Sequence, residues 1–336
     1  MALGEFELIE RFFAPLGRDG GDGVLAGIGD DAAVLAVPPG TMLVAALDTL
    51  VEGRHFLPGS PAASVGHRAL AVNLSDLAAM GADPGWYLLS LTLPQVDERW
   101  LAGFASGLRQ LARDSGIALV GGDTTRGPLA VSVQVLGFAR PGEALLRSGA
   151  RPGDLLFVSG SPGEAAAGLA IELAADAGRA APADPAARQL LRRLHFPMPR
   201  LALGRALRGL ASACIDVSDG LAADALRLAQ ASGCGLRIEA ADLPLSAALR
   251  AISGEEAALV HALSGGDDYE LCFTVPAERL AELAPRLAAG GCAATCVGVV
   301  EAEPGLRVLR NGRPHALART GFDHFSPGSD PRGASQ

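Results

Sequence analysis

Apolar runs in this chain keep stopping at aspartates, and most of those aspartates stand beside glycine. Gly27-Ile28-Gly29-Asp30-Asp31 is the first such place, and Asp48 follows the apolar run Met42–Leu47. Gly121-Gly122-Asp123-Thr124-Thr125 follows Ile117–Val120, and Asp216-Val217-Ser218-Asp219-Gly220 and Gly265-Gly266-Asp267-Asp268-Tyr269-Glu270 come later. Glycine admits left-handed backbone, and an aspartate side chain hydrogen-bonds its own main chain, so both interrupt regular structure. A chain punctuated in this way folds into short elements. Its short apolar runs alternate with helical patterns, which argues for a mixed α/β fold.

The element pattern follows from the same punctuation. Met42–Leu47 reads as a strand ending at Asp48. Ser64 reads as the cap of a helix that Gly81 terminates, with Asp76 three residues after Asn73 on one helix face. Trp86–Leu93 reads as a strand, followed by a helix with Trp100, Leu101, Phe104, Leu108 and Leu111 on one face and Gly116 as its stop. Ile117–Val120 and Leu129–Gly137 read as further strands. The turn-rich stretch 147–154 closes a first domain, residues 1–150. A second domain, residues 151–325, opens with the strand Leu155–Val158 and the loop Gly160-Ser161-Pro162-Gly163. Ala174–Ala187 reads as a helix end and an exposed loop, Cys214–Val217 as a strand, and Leu221–Ala231 as a helix ended by Gly233. Ser326–Gln336 reads as a mobile polar tail.

Composition narrows the function. At 336 residues, 49% hydrophobic and 19% charged, the chain has room for two cores. All 28 basic residues are arginine. Without lysine there is no Walker P-loop, no lysine-dependent protein kinase and no Schiff-base chemistry. A net charge of −9 argues against a nucleic-acid surface. Ala32–Leu47, the longest uncharged run near the start, is too short to span a bilayer and is broken by Pro38-Pro39-Gly40. Met1–Gly4 runs straight into acidic residues, unlike a secretory signal. Five cysteines, an odd number, read as reduced thiols and a cytoplasmic location. Cys292 and Cys296 lack the second pair a zinc site needs.

In an α/β protein, ligands sit where strands end and the following helices begin. Carboxylates gathered there repel one another unless a cation neutralises them. Magnesium suits an all-oxygen set and bridges carboxylates to phosphates, and the six histidines show no zinc spacing. Taken singly, each Gly-Asp pair is equally a turn, and Asp219 equally a helix cap. Gly160–Gly163 is either a phosphate cradle on backbone amides or a tight turn. Arg126 and Arg147 are candidate phosphate clamps.

Taken together, the segments are specific. Gly4-Glu5-Phe6, GIGDDAAVL at 27–35, DTLVEGRHF at 48–56, ALAVNLSDLAAMGADP at 69–84, GGDTTRGPL at 121–129, RSGARPGD at 147–154, DVSDGL at 216–221, SGGDDYELCFTVP at 264–276 and GFDHF at 321–325 resemble thiamine-monophosphate kinases, in order and over nearly the whole chain. The resemblance implies the two-domain α/β fold of the aminoimidazole ribonucleotide synthetase superfamily. In that fold an N-terminal α/β domain binds ATP and magnesium and forms a homodimer, and a C-terminal α/β domain follows. By resemblance, Asp30, Asp48, Asp76, Asp123, Asp216 and Asp219 hold several magnesium ions. Gly122, Asp123, Arg147 and Ser218 contact ATP, and His55, Asp267 and Phe322 contact thiamine monophosphate.

Three positions depart from the family pattern. Ala46-Leu47 stands where hydroxyl residues often precede the aspartate, so one metal loses a side-chain ligand or uses a backbone carbonyl. Asp267 replaces a common glutamate, and Phe322 stands where other aromatics occur. The implied reaction is phosphorylation of thiamine monophosphate by ATP to give thiamine diphosphate, with no side chain acting as base or nucleophile. Other ATP-dependent enzymes of the superfamily, or a catalytically silent nucleotide-binding relative, are the alternatives. A selenophosphate synthetase is disfavoured because the first cysteine is Cys214, and a hydrogenase-maturation relative because the chain ends in Gln336 rather than cysteine.

Overall fold

A computed structural model describes residues 4–17, 23–178 and 184–322, in two compact units. The first comprises Met1–Leu77 and Ala82–Ala144, and the second Ala78–Gly81 and Leu145–Gln336. The tail expected at 326–336 lies outside the described residues.

The first unit begins with the helical turns α1 (Glu5–Leu8) and α2 (Ala14–Gly17) and the short strands β1 (Val24–Ala26) and β2 (Val34–Leu35). Its main sheet contains β3 (Met42–Val51), β4 (Asp83–Leu93), β5 (Ala118–Arg126) and β6 (Ala130–Ala139), in the order β3-β6-β4-β5. Only β4 and β5 run parallel, joined by the crossover helix α4 (Glu98–Ser115). Helix α3 (Ala62–Ala79) connects β3 to β4. Alternate residues of β6 are buried, among them Val131, Val133 and Val135.

Helix α4 forms as its sequence indicates. Asp97 accepts hydrogen bonds from the Arg99 and Trp100 amides at 2.9 and 3.1 Å, and Gly116 ends the helix in left-handed conformation. Leu101, Phe104, Leu108 and Leu111 are buried. Helices α3 and α4 cross at backbone contact. A Cβ at Gly66 would overlap the Phe104 carbonyl, and one at Gly107 the Ala63 carbonyl.

Three strand and cap expectations need correction. Strand β3 continues past Asp48 to Val51, because Asp48–Val51 keep pairing with β6 and the Thr49 hydroxyl meets that of Ser132 at 2.7 Å. Ser64 lies inside α3, and its hydroxyl donates to the Pro61 carbonyl at 2.7 Å instead of capping amides. Gly121–Thr125 belongs to β5, since β4 supplies a partner for each of these residues.

The second unit holds a seven-stranded sheet. Its strands are β7 (Leu155–Ser159), β8 (Ala213–Val217), β9 (Gly235–Glu239), β10 (Glu270–Val275), β11 (Ala294–Glu301), β12 (Gly305–Arg310) and β13 (Arg313–Pro314), in the order β13-β12-β9-β11-β7-β10-β8. All pairs are antiparallel except β12–β9. Strands β8 and β10 are buried throughout, including the polar Asp216, Glu270 and Thr274. The helices are α5 (Glu164–Asp176), α6 (Pro185–His195), α7 (Leu201–Leu207), α8 (Leu221–Ser232), α9 (Ala247–Ser264) and α10 (Leu283–Gly290). Gly233 ends α8 in left-handed conformation.

Gly107→Ala forces the α3–α4 crossing apart and is expected to lower the unfolding free energy by about 1–3 kcal/mol. An unshifted denaturant midpoint would contradict this close contact.

Candidate functional site

In the first unit, a cavity of about 830 Å³ lies between the segment Gly27–Ala33 and strand β5. That volume falls within the roughly 300–1,000 Å³ usual for small-molecule sites. Phe6, Phe13, Leu35 and Leu119 line its apolar part, and Asp30, Asp31, Gly122 and Asp123 its polar part. Asp30 and Asp123 are both exposed. Gly29 takes φ +109, and the Asp31 amide donates to Asp30 Oδ1 at 2.9 Å, so the aspartates sit on a tight turn. Gly122 takes φ +153 and would drive a Cβ into the Leu89 carbonyl. Only glycine fits there, and it exposes main chain to the cavity.

A second group in this unit gathers around β3 and α3. The buried Asn73 side chain donates to the Ala69 carbonyl at 3.0 Å and accepts the Asp48 amide at 2.9 Å. Asp48 is thereby registered against α3, and Asp76 stands half-buried about one turn beyond Asn73. His55 follows a turn whose amide bonds return to the Val51 carbonyl, and its Nδ1 accepts the Val51 amide at 3.0 Å. A neutral His55 therefore carries its ring proton on Nε2.

In the second unit, three loops meet. The Asp267 amide donates to the Ser218 carbonyl at 2.8 Å, and the Phe322 amide to the Asp219 carbonyl at 2.9 Å. A Cβ at Gly266 would meet the Ser218 carbonyl at 2.5 Å, and one at Gly321 the Asp219 carbonyl at 2.7 Å. Ser218, Asp219, Asp267 and Phe322 are thus brought together at the end of β8, and the buried Asp216 lies in that strand. Arg147 is not with them. It is exposed, and the carbonyl of its neighbour Leu146 accepts the Cys214 amide at the opposite end of β8.

Two backbone-amide cradles in this unit are already filled by the chain's own carboxylates. Asp224 Oδ2 accepts the amides of Ser218, Asp219 and Gly220 at 3.0, 3.0 and 3.2 Å. Burial and the nearby Asp219 charge push the Asp224 carboxyl up to about 6, against those hydrogen bonds and Arg227. Asp219 is therefore not the cap of α8. It pairs instead with the Arg227 guanidinium at 2.6 Å. Asp268 likewise accepts the Gly163 amide at 2.6 Å and the Ala165 amide at 3.3 Å. The Gly160–Gly163 loop is thus a tight turn plugged by a carboxylate, not an open phosphate cradle. Asp224 and Asp268 escaped the sequence reading because their partners are set by the fold. The one local signal was that Asp268 stands inside an aspartate-rich motif and Asp224 shortly after another.

Glu270, fully buried at the start of β10, completes the second unit's scaffold. It accepts the Ser159 hydroxyl at 2.6 Å and guanidinium groups of Arg193 and Arg200 at 2.6 and 2.7 Å. Burial alone would raise its pKa, but the hydrogen bonds and charges of Arg200 and Arg193, with the Ser159 hydroxyl, hold it below the usual carboxylate range. Among the described residues, no three His, Cys, Asp or Glu side chains converge closely enough to hold a metal ion. No described helix is long and apolar enough to cross a membrane.

Glu270→Gln leaves the largely buried Arg200 without its counter-charge and Arg193 with Glu164 alone, 3.4 Å away, and is expected to cost about 3–5 kcal/mol of stability. A depressed carboxyl stabilises the fold above its unfolded-state pKa and loses that contribution as pH falls through the folded value. The parent chain should therefore lose more stability on acidification than the variant. Equal acid limbs in denaturation curves would contradict the Glu270 assignment.

The comparisons agree with this two-unit arrangement. The AIR synthase related protein N-terminal domain matches residues 29–139, and the corresponding C-terminal domain matches residues 151–311. The chain is 48% identical over 328 residues to thiamine-monophosphate kinase of Escherichia coli (strain K12), covering 97% of this chain and 99% of that one. The crystal structure of thiamine-monophosphate kinase from Stenotrophomonas maltophilia K279a matches with a TM-score of 0.83 at 43% identity, over 94% of this chain and 99% of that one. AaThiL complexed with AMPPCP and TMP matches with a TM-score of 0.76 at 32% identity, over 97% and 99%. With its AIR synthase related N- and C-terminal domains, this chain belongs to the thiamine-monophosphate kinase family.

Proposed function

We propose that the chain transfers the γ-phosphoryl group of ATP to the phosphate of thiamine monophosphate, giving ADP and thiamine diphosphate. The observation that carries this reading is the match, over nearly the whole chain, to AaThiL complexed with AMPPCP and TMP. The first unit's cavity, edged by Gly122 and Asp123, supports a nucleotide site. On the sequence resemblance alone, Arg147 and Ser218 of the second unit are also proposed as ATP contacts. His55, Asp267 and Phe322 are the proposed contacts to thiamine monophosphate.

The proposed magnesium ligands are Asp30, Asp48, Asp76, Asp123, Asp216 and Asp219. Their hard carboxylate oxygens fit that ion, and all but Asp216 are at least partly exposed. Magnesium held there would neutralise polyphosphate charge and help align the reacting groups. The acceptor is a phosphate monoester whose second pKa is about 6, so its attacking oxygen is already ionised at neutral pH. The protein needs no general base for that oxygen, and we infer a single in-line transfer without a phosphoenzyme. Binding two polyanions beside carboxylates is the main difficulty, and orientation with charge compensation is what the site must supply.

We further propose a cytoplasmic homodimer formed through the first unit. Edge strand β3 exposes Met42, Leu43 and Leu47, and Leu25 and Val34 are exposed in the same unit, an apolar surface a second copy would cover.

Asp48→Asn and Asp216→Asn are expected to lower kcat for thiamine diphosphate formation at least about 100-fold, with unchanged circular dichroism. Parent-like magnesium-dependent turnover in both variants would remove the proposed ligand set. Leu47→Asp is expected to shift the sedimentation coefficient from dimer to monomer. A dimer that persists at low micromolar concentration would contradict the proposed interface.

A further inference from the structure

The loop before β10 contains two residues whose backbone is unusual for their type. Asp267 takes φ +68 and Tyr269 takes φ +52. Aspartate tolerates left-handed backbone through local hydrogen bonding, but a bulky aromatic side chain is rarely found there. The loop is held in this form on several sides. The Asp267 amide donates to the Ser218 carbonyl and the Tyr269 amide to the Val217 carbonyl, each at 2.8 Å. Between them, Asp268 is fixed on the start of α5. After them, Glu270 is held by Ser159, Arg193 and Arg200.

This conformation turns two side chains onto each other. The Tyr269 hydroxyl donates to Asp267 Oδ1 at 2.9 Å. Tyr269 is buried, at 7% exposure, whereas Asp267 is only half-buried. A packed aromatic side chain therefore restrains a carboxylate that faces partly outward. The Asp267 carboxylate has two rotatable bonds, and fixing it before a ligand arrives removes an ordering cost from binding.

We propose that Tyr269 is a positioning residue for acceptor recognition. It sets the Asp267 carboxylate in the orientation that meets the cationic, amine-bearing heterocycles of thiamine monophosphate. This rests on the reading of Asp267 as an acceptor contact. Tyr269 touches neither substrate and acts through Asp267. The strain of the left-handed residues is maintained by Asp268 and Glu270, which keep the loop from relaxing to an extended form.

Tyr269→Phe removes one hydroxyl and keeps the ring. It is expected to raise KM for thiamine monophosphate about tenfold, the order of one charge-assisted hydrogen bond. KM for ATP, kcat and the melting temperature should stay near parent values. Asp267→Asn should also raise KM for thiamine monophosphate, and adding Tyr269→Phe to it should cause little further change. Unchanged KM in Tyr269→Phe beside a raised KM in Asp267→Asn would overturn the positioning role and leave the Asp267 reading standing. Multiplicative effects in the double variant would show that Tyr269 acts independently, which also overturns it. An unchanged KM in Asp267→Asn would instead overturn the Asp267 reading, and the positioning role with it.

Discussion

Asp268 and Glu270, two buried carboxylates on either side of Tyr269, tie the loop before β10 to α5 and to Arg193 and Arg200. Buried carboxylates are costly unless paired and hydrogen-bonded, and here the partners come from the start of α5, from Ser159 of β7, from Arg193 of α6 and from Arg200 just before α7. The loop can hold two left-handed non-glycine residues because its ends are fixed so firmly. Its register against Val217 and Ser218 follows, and so does the meeting of Ser218, Asp219, Asp267 and Phe322.

The same economy of charge runs through the second unit. Helix starts and successive backbone amides are natural phosphate sites, yet Asp224 and Asp268 occupy two of them. With no lysine in the chain, these amides are committed to holding loops. On the proposed reading, charge compensation for a phosphate falls to arginine and to cations that carboxylates attract. A chain of net charge −9 can act on polyanions on those terms, provided the acceptor arrives already ionised.

Much of this was legible from local signals. The stops at Gly116 and Gly233 were readable because a left-handed helix end is a local backbone requirement, and the buried face of α4 because its spacing is helical. The family was legible because nine segments occur in order. What the sequence concealed was set by distant partners. Strand β3 runs past Asp48 because β6 pairs with it, and Gly121–Thr125 is strand because β4 lies alongside. Asp224 and Asp268 read as ordinary acidic residues until the amides they accept are brought to them. Arg147, adjacent in motif logic to Ser218, stands at the other end of β8.

The most direct test of the account is the choice of acceptor. ATP is supplied with thiamine monophosphate or with free thiamine, whose hydroxyl would need a base, each with and without magnesium, and phosphorylated product is measured. The account predicts thiamine diphosphate from the monophosphate alone and only with magnesium. Phosphorylation of free thiamine at a comparable rate, or full turnover without a divalent cation, would contradict it.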